Sequence, residues 1–255
     1  TLLRVSLVKY IMRGYKYVKK NLNWSRPMRI AVLMTNTDES EFSNRWPKDG
    51  EKFPAMMRRV RPEWEYVVYP VKDGVFPEAL AGIEGVLITG SPHSVNSGDA
   101  WVERLFGVIR DIYAAGIPMF GACFGHQAIA KALGGDVEAN PRGWVFGLVE
   151  KRFADGRSLP LYASHSEQVT KMPEGAEVIA SGPDCDVAGF VMGRGIMTTQ
   201  YHPEMEPAFI AALVEHLADE LPSDVTERAR ASLVKEADMQ AMAERIALFL
   251  EGQSA

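Results

Sequence analysis

The sequence predicts an α/β fold: a mainly parallel central sheet with helices on both faces and a small antiparallel extension. Three observations carry this expectation. Short apolar runs bounded by Gly or Pro recur at 29–34 (RIAVLM), 65–70 (EYVVYP), 85–89 (GVLIT) and 117–122 (IPMFGA). They are continuous rather than alternating, as strands covered on both faces must be. A helical pattern separates the last two, and closely spaced β-like pieces follow residue 143.

Residues 1–27 hold seven basic residues and no acid, while the rest of the chain is acidic. Met28 then opens the first strand. The segment reads as a basic extension outside the fold: foreign to it, a targeting peptide, or a contact for anionic lipid or nucleic acid. We expect a domain over 28–220 and a helical extension over 221–255. The polar stretch 35–53 follows the first strand's carboxyl end, where open α/β sheets bind ligands. Two readings stand there, a wall for a leaving group or a mobile surface loop. Over 99–116, Trp101, Leu105, Val108, Ile109 and Ile112 recur at helical spacing, with Asp99 as N-cap and Gly116 as stop. WVFGLVEKRF, PLYAS, EQVTKM, AEVIAS, VAGFVM and GIMTTQ read as antiparallel pieces. The spacing then predicts helices over 206–220 and 223–251. The second starts at Ser223 with Thr226 and Glu227, and Leu233, Ala237, Met242, Ile246 and Leu250 form its apolar stripe.

Composition bounds the function. A hydrophobic share of 47% supplies a core, and no apolar run reaches membrane-spanning length. Cys123 and Cys185 are too far apart for a disulfide framework and lack metal-ligand spacing, which fits a reducing, cytoplasmic setting. The acidic body argues against a nucleic-acid or membrane partner for residues 28–255.

The chemistry concentrates in PMFGACFGHQAIAKALGG, residues 118–135. A strand running into Gly121-Ala-Cys123-Phe-Gly125 and then a helix is the nucleophile-elbow pattern with sulfur in place of oxygen. The glycines admit a strained turn and close backbone approach. The helix start aims free N–H groups and its positive dipole end at the sulfur, favouring the thiolate. A thiolate nucleophile needs a base and the base an orienter. TTQYHPEME (198–206) offers His202 and Glu204, which share a face if strand geometry persists. His93, His126 and His165 have weaker claims, and His216 reads as a surface or packing residue.

Gly121-Ala-Cys-Phe-Gly-His-Gln127 and Tyr201-His-Pro-Glu204 together resemble the class I, triad-type glutamine amidotransferases over roughly residues 28–220. The resemblance implies their flavodoxin-like fold and a triad of Cys123 (nucleophile), His202 (base) and Glu204 (orienter). It also implies an oxyanion hole from the N–H groups of Ser91 and Phe124, in the segment LITGSPHS and at the elbow. Ser91 departs from the family, which carries glycine there. Substrate contacts are implied for Gly90, Gln127, Ser164 and His165, the last two in YASHSEQV; as turn residues they have an ordinary structural reading too. His126 reads as structural. The implied reaction needs no metal or organic cofactor. It is hydrolysis of glutamine or another γ-glutamyl compound through a thioester, with ammonia passed to an unidentified synthase or acceptor subunit. A stand-alone γ-glutamyl peptidase is the alternative, supported by GSPHS, GACFGHQ and GWVFGL taken together. A non-catalytic binding or regulatory module with the same fold is the third reading. Residues 221–255 are too short for a nucleotide-binding acceptor domain.

Overall fold

The computed structural model describes residues 27–253. The basic extension expected at 1–27 falls, apart from Pro27, outside the described residues. Nine strands form one sheet in the order β2-β1-β3-β4-β11-β10-β9-β6-β7. The first five, β1 (Arg29–Met34), β2 (Glu65–Pro70), β3 (Gly85–Ile88), β4 (Met119–Ala122) and β11 (Ile196–Thr199), run parallel. β6 (Val145–Phe153), β7 (Ser158–His165), β9 (Glu177–Gly182) and β10 (Cys185–Met192) extend them antiparallel. The expected sheet is therefore present, with 29–34 and 119–122 in it. GIMTTQ departs from expectation: β11 pairs parallel to β4 and antiparallel to β10, joining the two halves. β5 (Asp136–Ala139) and β8 (Glu167–Lys171) form a separate antiparallel pair.

Both faces of the parallel half are covered, which explains its unbroken apolar strands. Along β1, Ile30 and Val32 enter one core and Ala31 and Leu33 the other, as the two-residue strand period requires. α1 (Asp49–Arg58) supplies Phe53, Met56 and Met57 to the first core. On the opposite face lie α2 (Ala100–Ala114), through Val102, Leu105 and Ile109, and α3 (Phe124–Ala132), through Ala128 and Ile129. A third cluster under the antiparallel half gathers Phe146, Tyr162, Met205 and Ile210 with α4 (Pro207–His216) and α5 (Ser223–Ser232).

Four local expectations are refined or corrected. The helix expected over 223–251 is two, α5 and α6 (Met239–Leu250). The stripe serves two cores: Leu233 and Ala237 pack on the third cluster, whereas Met242, Ile246 and Leu250 enter the first. Asp238 makes the break, its N–H donating to Pro160 O and its carboxylate capping α6 at Ala241 N, 3.0 Å away. Ser223 is the first residue of α5 and caps nothing through its side chain. Asp99 occupies the N-cap position of α2 without a side-chain cap bond, because its carboxylate lies 2.7 Å from His93 Nε2. The stretch 35–53 is not structureless. It contains a 3-10 turn at Ser43–Arg45 and the start of α1, where Lys48 N–H donates to Glu51 Oε2 at 2.9 Å.

The elbow explains its glycines. A Cβ on Gly125 would sit 2.4 Å from Ile88 O, and one on Gly121 2.6 Å from the Gly125 backbone. Strand and helix meet there at backbone contact. Gly125→Ala should therefore cost about 3 kcal/mol, the upper end of overpacking, whereas Gly107→Ala in α2, where a Cβ would meet only the Arg110 guanidinium at 3.9 Å, should stabilise by up to about 1 kcal/mol. Urea unfolding of both variants checks this. Equal stabilities would show that the elbow tolerates separation.

Candidate active site at the end of the fourth strand

Cys123 follows β4 at φ +48°, ψ −106°, and is the one non-glycine residue at positive φ among the described residues. Such a conformation costs about 1–3 kcal/mol and persists only when the surroundings impose it. Here Cys123 N–H donates to Thr199 O on β11 at 2.9 Å, and Gly125 N–H to Thr89 O at 3.1 Å. The turn is thus tied to strands on both sides. It throws the thiol up at the carboxyl edge of the sheet, where Sγ lies 4.0 Å from Ser164 O. Phe124, first residue of α3, has an N–H without an intrahelical acceptor by helix geometry.

His202 reaches Cys123 from β11's far end, but not as a strand continuation. β11 ends at Thr199, and His202 makes an isolated bridge to Tyr162, its N–H donating to Tyr162 O at 2.9 Å. The turn that follows brings Glu204 Oε1 to 2.8 Å from His202 Nδ1. The expected pairing therefore arises from a tight turn rather than from strand alternation. Both side chains are buried. Burial opposes a charged ring, yet the neighbouring Cys123 and the hydrogen-bonded Glu204 outweigh it and hold His202 well above the ordinary histidine range. Among the described residues Glu204 Oε2 has no hydrogen-bond partner, so the carboxylate is committed to the imidazole through Oε1.

The third wall comes from β3. A Cβ on Gly90 would stand 2.7 Å from His202 Cε1 and 3.6 Å from Cys123 Cβ. Absence of a side chain is what lets this backbone pass the imidazole. The buried Thr35 hydroxyl, 2.9 Å from Thr89 O and 3.0 Å from Gly90 O, fixes the turn that presents Ser91. The Ser91 hydroxyl accepts from His93 N–H at 3.2 Å, so serine is used locally to shape the loop.

The remaining expected residues line the same cleft, with differences. Gln127 borders it, but its amide Nε2 donates inward to Glu167 O at 3.0 Å and Gln200 Oε1 at 3.2 Å. Ser164 and His165 lie at the end of β7, and His165 Nδ1 is 2.9 Å from Glu167 O. Burial, aided by His202 and Lys151 nearby, lowers His165 to about 4, so it is neutral near pH 7. His126 is fully buried away from the cleft, 2.8 Å from Thr198 Oγ1 and lowered by burial to about 3. Cys185 is also fully buried, and burial pushes its thiol up to about 11.

Gln200 is the residue sequence reasoning missed. Fully buried, it donates from Nε2 to Cys123 Sγ at 3.6 Å and links the sulfur through Gln127 to the 164–167 turn. Its signal was present: a polar side chain two residues before His202, closing an apolar strand. The cleft has a volume of about 470 Å3 and extends from Glu167 and Gln127 past Cys123 to Asp38 and α4. No helix among the described residues is long and apolar enough to cross a membrane.

The family model for class-I glutamine amidotransferases matches residues 56–209. A glutamine amidotransferase-like protein of Schizosaccharomyces pombe is 31% identical over 212 residues, 74% of this chain and 84% of that relative. Gamma-glutamyl peptidase 2 of Arabidopsis thaliana is 29% identical, over 89% of this chain and 98% of the relative. A glutamine-hydrolyzing GMP synthase of Janthinobacterium matches at 34% over 142 residues, 25% of its length. The crystal structure of a glutamine amidotransferase from Thermotoga maritima superimposes with a TM-score of 0.70 at 18% identity, covering 90% of this chain and all of that one, a likeness of fold. With the strand–elbow–helix carrying Cys123 inside the matched segment, the chain belongs to the class I glutamine amidotransferase family.

Proposed function

We propose that this chain hydrolyses a γ-glutamyl amide through a thioester on Cys123, with His202 and Glu204 completing the triad. The supporting observation is the buried Glu204–His202 pair beside a thiol held at a strained elbow. In this reading the Cys123 thiolate attacks the γ-carbonyl carbon and forms a C–S bond, while the carbonyl π electrons move to oxygen. The N–H groups of Phe124 and Ser91 receive that oxyanion. The imidazolium of His202 gives its proton to the amide nitrogen, the C–N bond breaks, and an amine or ammonia departs. Water then attacks the thioester with His202 as base, and the thiolate leaves glutamate behind. Glu204 holds the ring's tautomer and orientation. Gly90, Gln127, Ser164 and His165 surround the glutamyl half, and residues 28–220 carry the catalytic machinery, with α6 from the segment that follows completing the first core.

Two leaving groups divide this reading. Ammonia from glutamine, delivered to a separate acceptor enzyme, is the amidotransferase form. The second form, an amine released from a γ-glutamyl peptide, is favoured by the near full-length match to a peptidase, against a quarter of the GMP synthase.

Cys123→Ala should abolish turnover of glutamine and of a γ-glutamyl dipeptide, and Cys185→Ala should leave both within about twofold of wild type. Activity surviving in Cys123→Ala would end the assignment. Glu204→Gln should lower kcat by at least about a hundredfold, read by steady-state kinetics. The raised His202 pKa also gives a sign for stability. Protonation bound more tightly in the folded state stabilises fully below about pH 6.5 and fades as pH rises through the folded value. Glu204→Gln should therefore destabilise more at pH 6 than at pH 9, measured by urea unfolding at both. A difference of the opposite sign would mean that Glu204 does not hold a charged ring.

A further inference from the structure

The amine half of the substrate must lie on the side of His202, since that ring supplies its proton. From His202 the chain turns through Met205 into α4, so this side of the cleft is walled by Met205, Phe209, Leu213, Leu217 and Leu221, with Trp144 packed on the same cluster. All but Met205 are partly buried, packing on the third cluster, and their remaining surface lines a concave space rather than open surface. Large apolar side chains left uncovered in a cleft are a binding feature. Nothing about ammonia calls for such a wall. The cleft volume of about 470 Å3 falls in the range that encloses a drug-sized ligand, larger than the glutamyl half alone requires.

The wall is also held in place. Phe42, in the loop after β1, stacks on His216 with centroids 4.2 Å apart and planes 5° from parallel. Trp46 meets Phe209 edge-on at 5.4 Å, and the Lys52 ammonium stands 3.6 Å from the Phe209 ring centre. Lys52 is in turn paired with buried Asp49, 3.1 Å away, which accepts from Asn36 Nδ2 at 2.8 Å. Loop and helix thus close one end of the cleft with aromatic contacts, and the apolar surface between them stays open to a ligand.

We propose that this wall is a leaving-group subsite for an amine bearing a bulky apolar side chain, making the substrate a γ-glutamyl amide of the leucine or phenylalanine type. The proposal rests on the hydrolytic reading of Cys123. Steady-state kinetics would compare γ-glutamyl-phenylalanine, γ-glutamyl-glycine and glutamine. Calorimetry on Cys123→Ala would compare binding of the two dipeptides. The expected result is a kcat/KM for γ-glutamyl-phenylalanine at least about tenfold above that for γ-glutamyl-glycine, the size of effect an apolar pocket gives. Binding should show the same order. Leu213→Asn should reduce that preference about tenfold, and Leu217→Asn serves as a second variant on the same face. Equal kinetics and equal binding for the two dipeptides, or an unchanged preference in both variants, would overturn the subsite. Selective binding of γ-glutamyl-phenylalanine without turnover of any substrate would uphold the subsite and overturn the hydrolytic reading. Glutamine turnover that rises only when an acceptor enzyme is added, with no dipeptide preference, would assign the wall to a protein partner and refute the proposal.

Discussion

The backbone of Cys123 is the constraint around which the site is arranged. A non-glycine residue at φ +48° is held there by bonds from its own N–H to β11 and from the next glycine to β3. Those two strands flank β4 in the sheet. The same parallel pairing that builds the core therefore also clamps the turn. Glycine at 121 and 125 lets β4 and α3 meet at backbone distance, and glycine at 90 lets the β3 loop pass the His202 ring. Each wall of the site is thus a consequence of strand order, with side chains omitted where two elements need to touch.

Electrostatics then separates groups of similar type. Of two buried cysteines, Cys185 is driven toward the neutral thiol by burial, whereas Cys123 faces an imidazole and the amide of Gln200. Of the buried histidines, His126 and His165 are pushed down and stay neutral, while His202, set between Cys123 and Glu204, is pushed up. Pairs of titratable groups whose surroundings drive them apart are how one fold assigns distinct acid and base roles. The side chains that set these shifts come from β6, β7, the turn after β11 and the elbow after β4, so the assignment depends on tertiary structure throughout.

Much of this was legible in the sequence because it is local. Gly-x-Cys-x-Gly after an apolar run specifies an elbow within five residues, and continuous Val-rich strands specify a sheet covered on both faces. What escaped is what depends on partners distant in the chain. α1 was hidden by Pro54 in its interior, although Phe53, Met56 and Met57 bury its face. The stripe over 233–250 looked continuous because periodicity does not record that its two halves serve different cores. Gln200 reads as a polar strand end until the fold sets it against Sγ. The stack of Phe42 on His216, which walls the cleft, joins residues from opposite ends of the domain.

The central claim is that Cys123 becomes covalently acylated. Acid-quenching the wild-type enzyme during turnover of a γ-glutamyl dipeptide, followed by peptide mass spectrometry, tests this directly. The account predicts a γ-glutamyl adduct on the peptide containing Cys123, labile to hydroxylamine as a thioester must be and enriched in Glu204→Gln if the second step is slowed. Turnover with no adduct under any quench time, or an adduct on Cys185 instead, would contradict it.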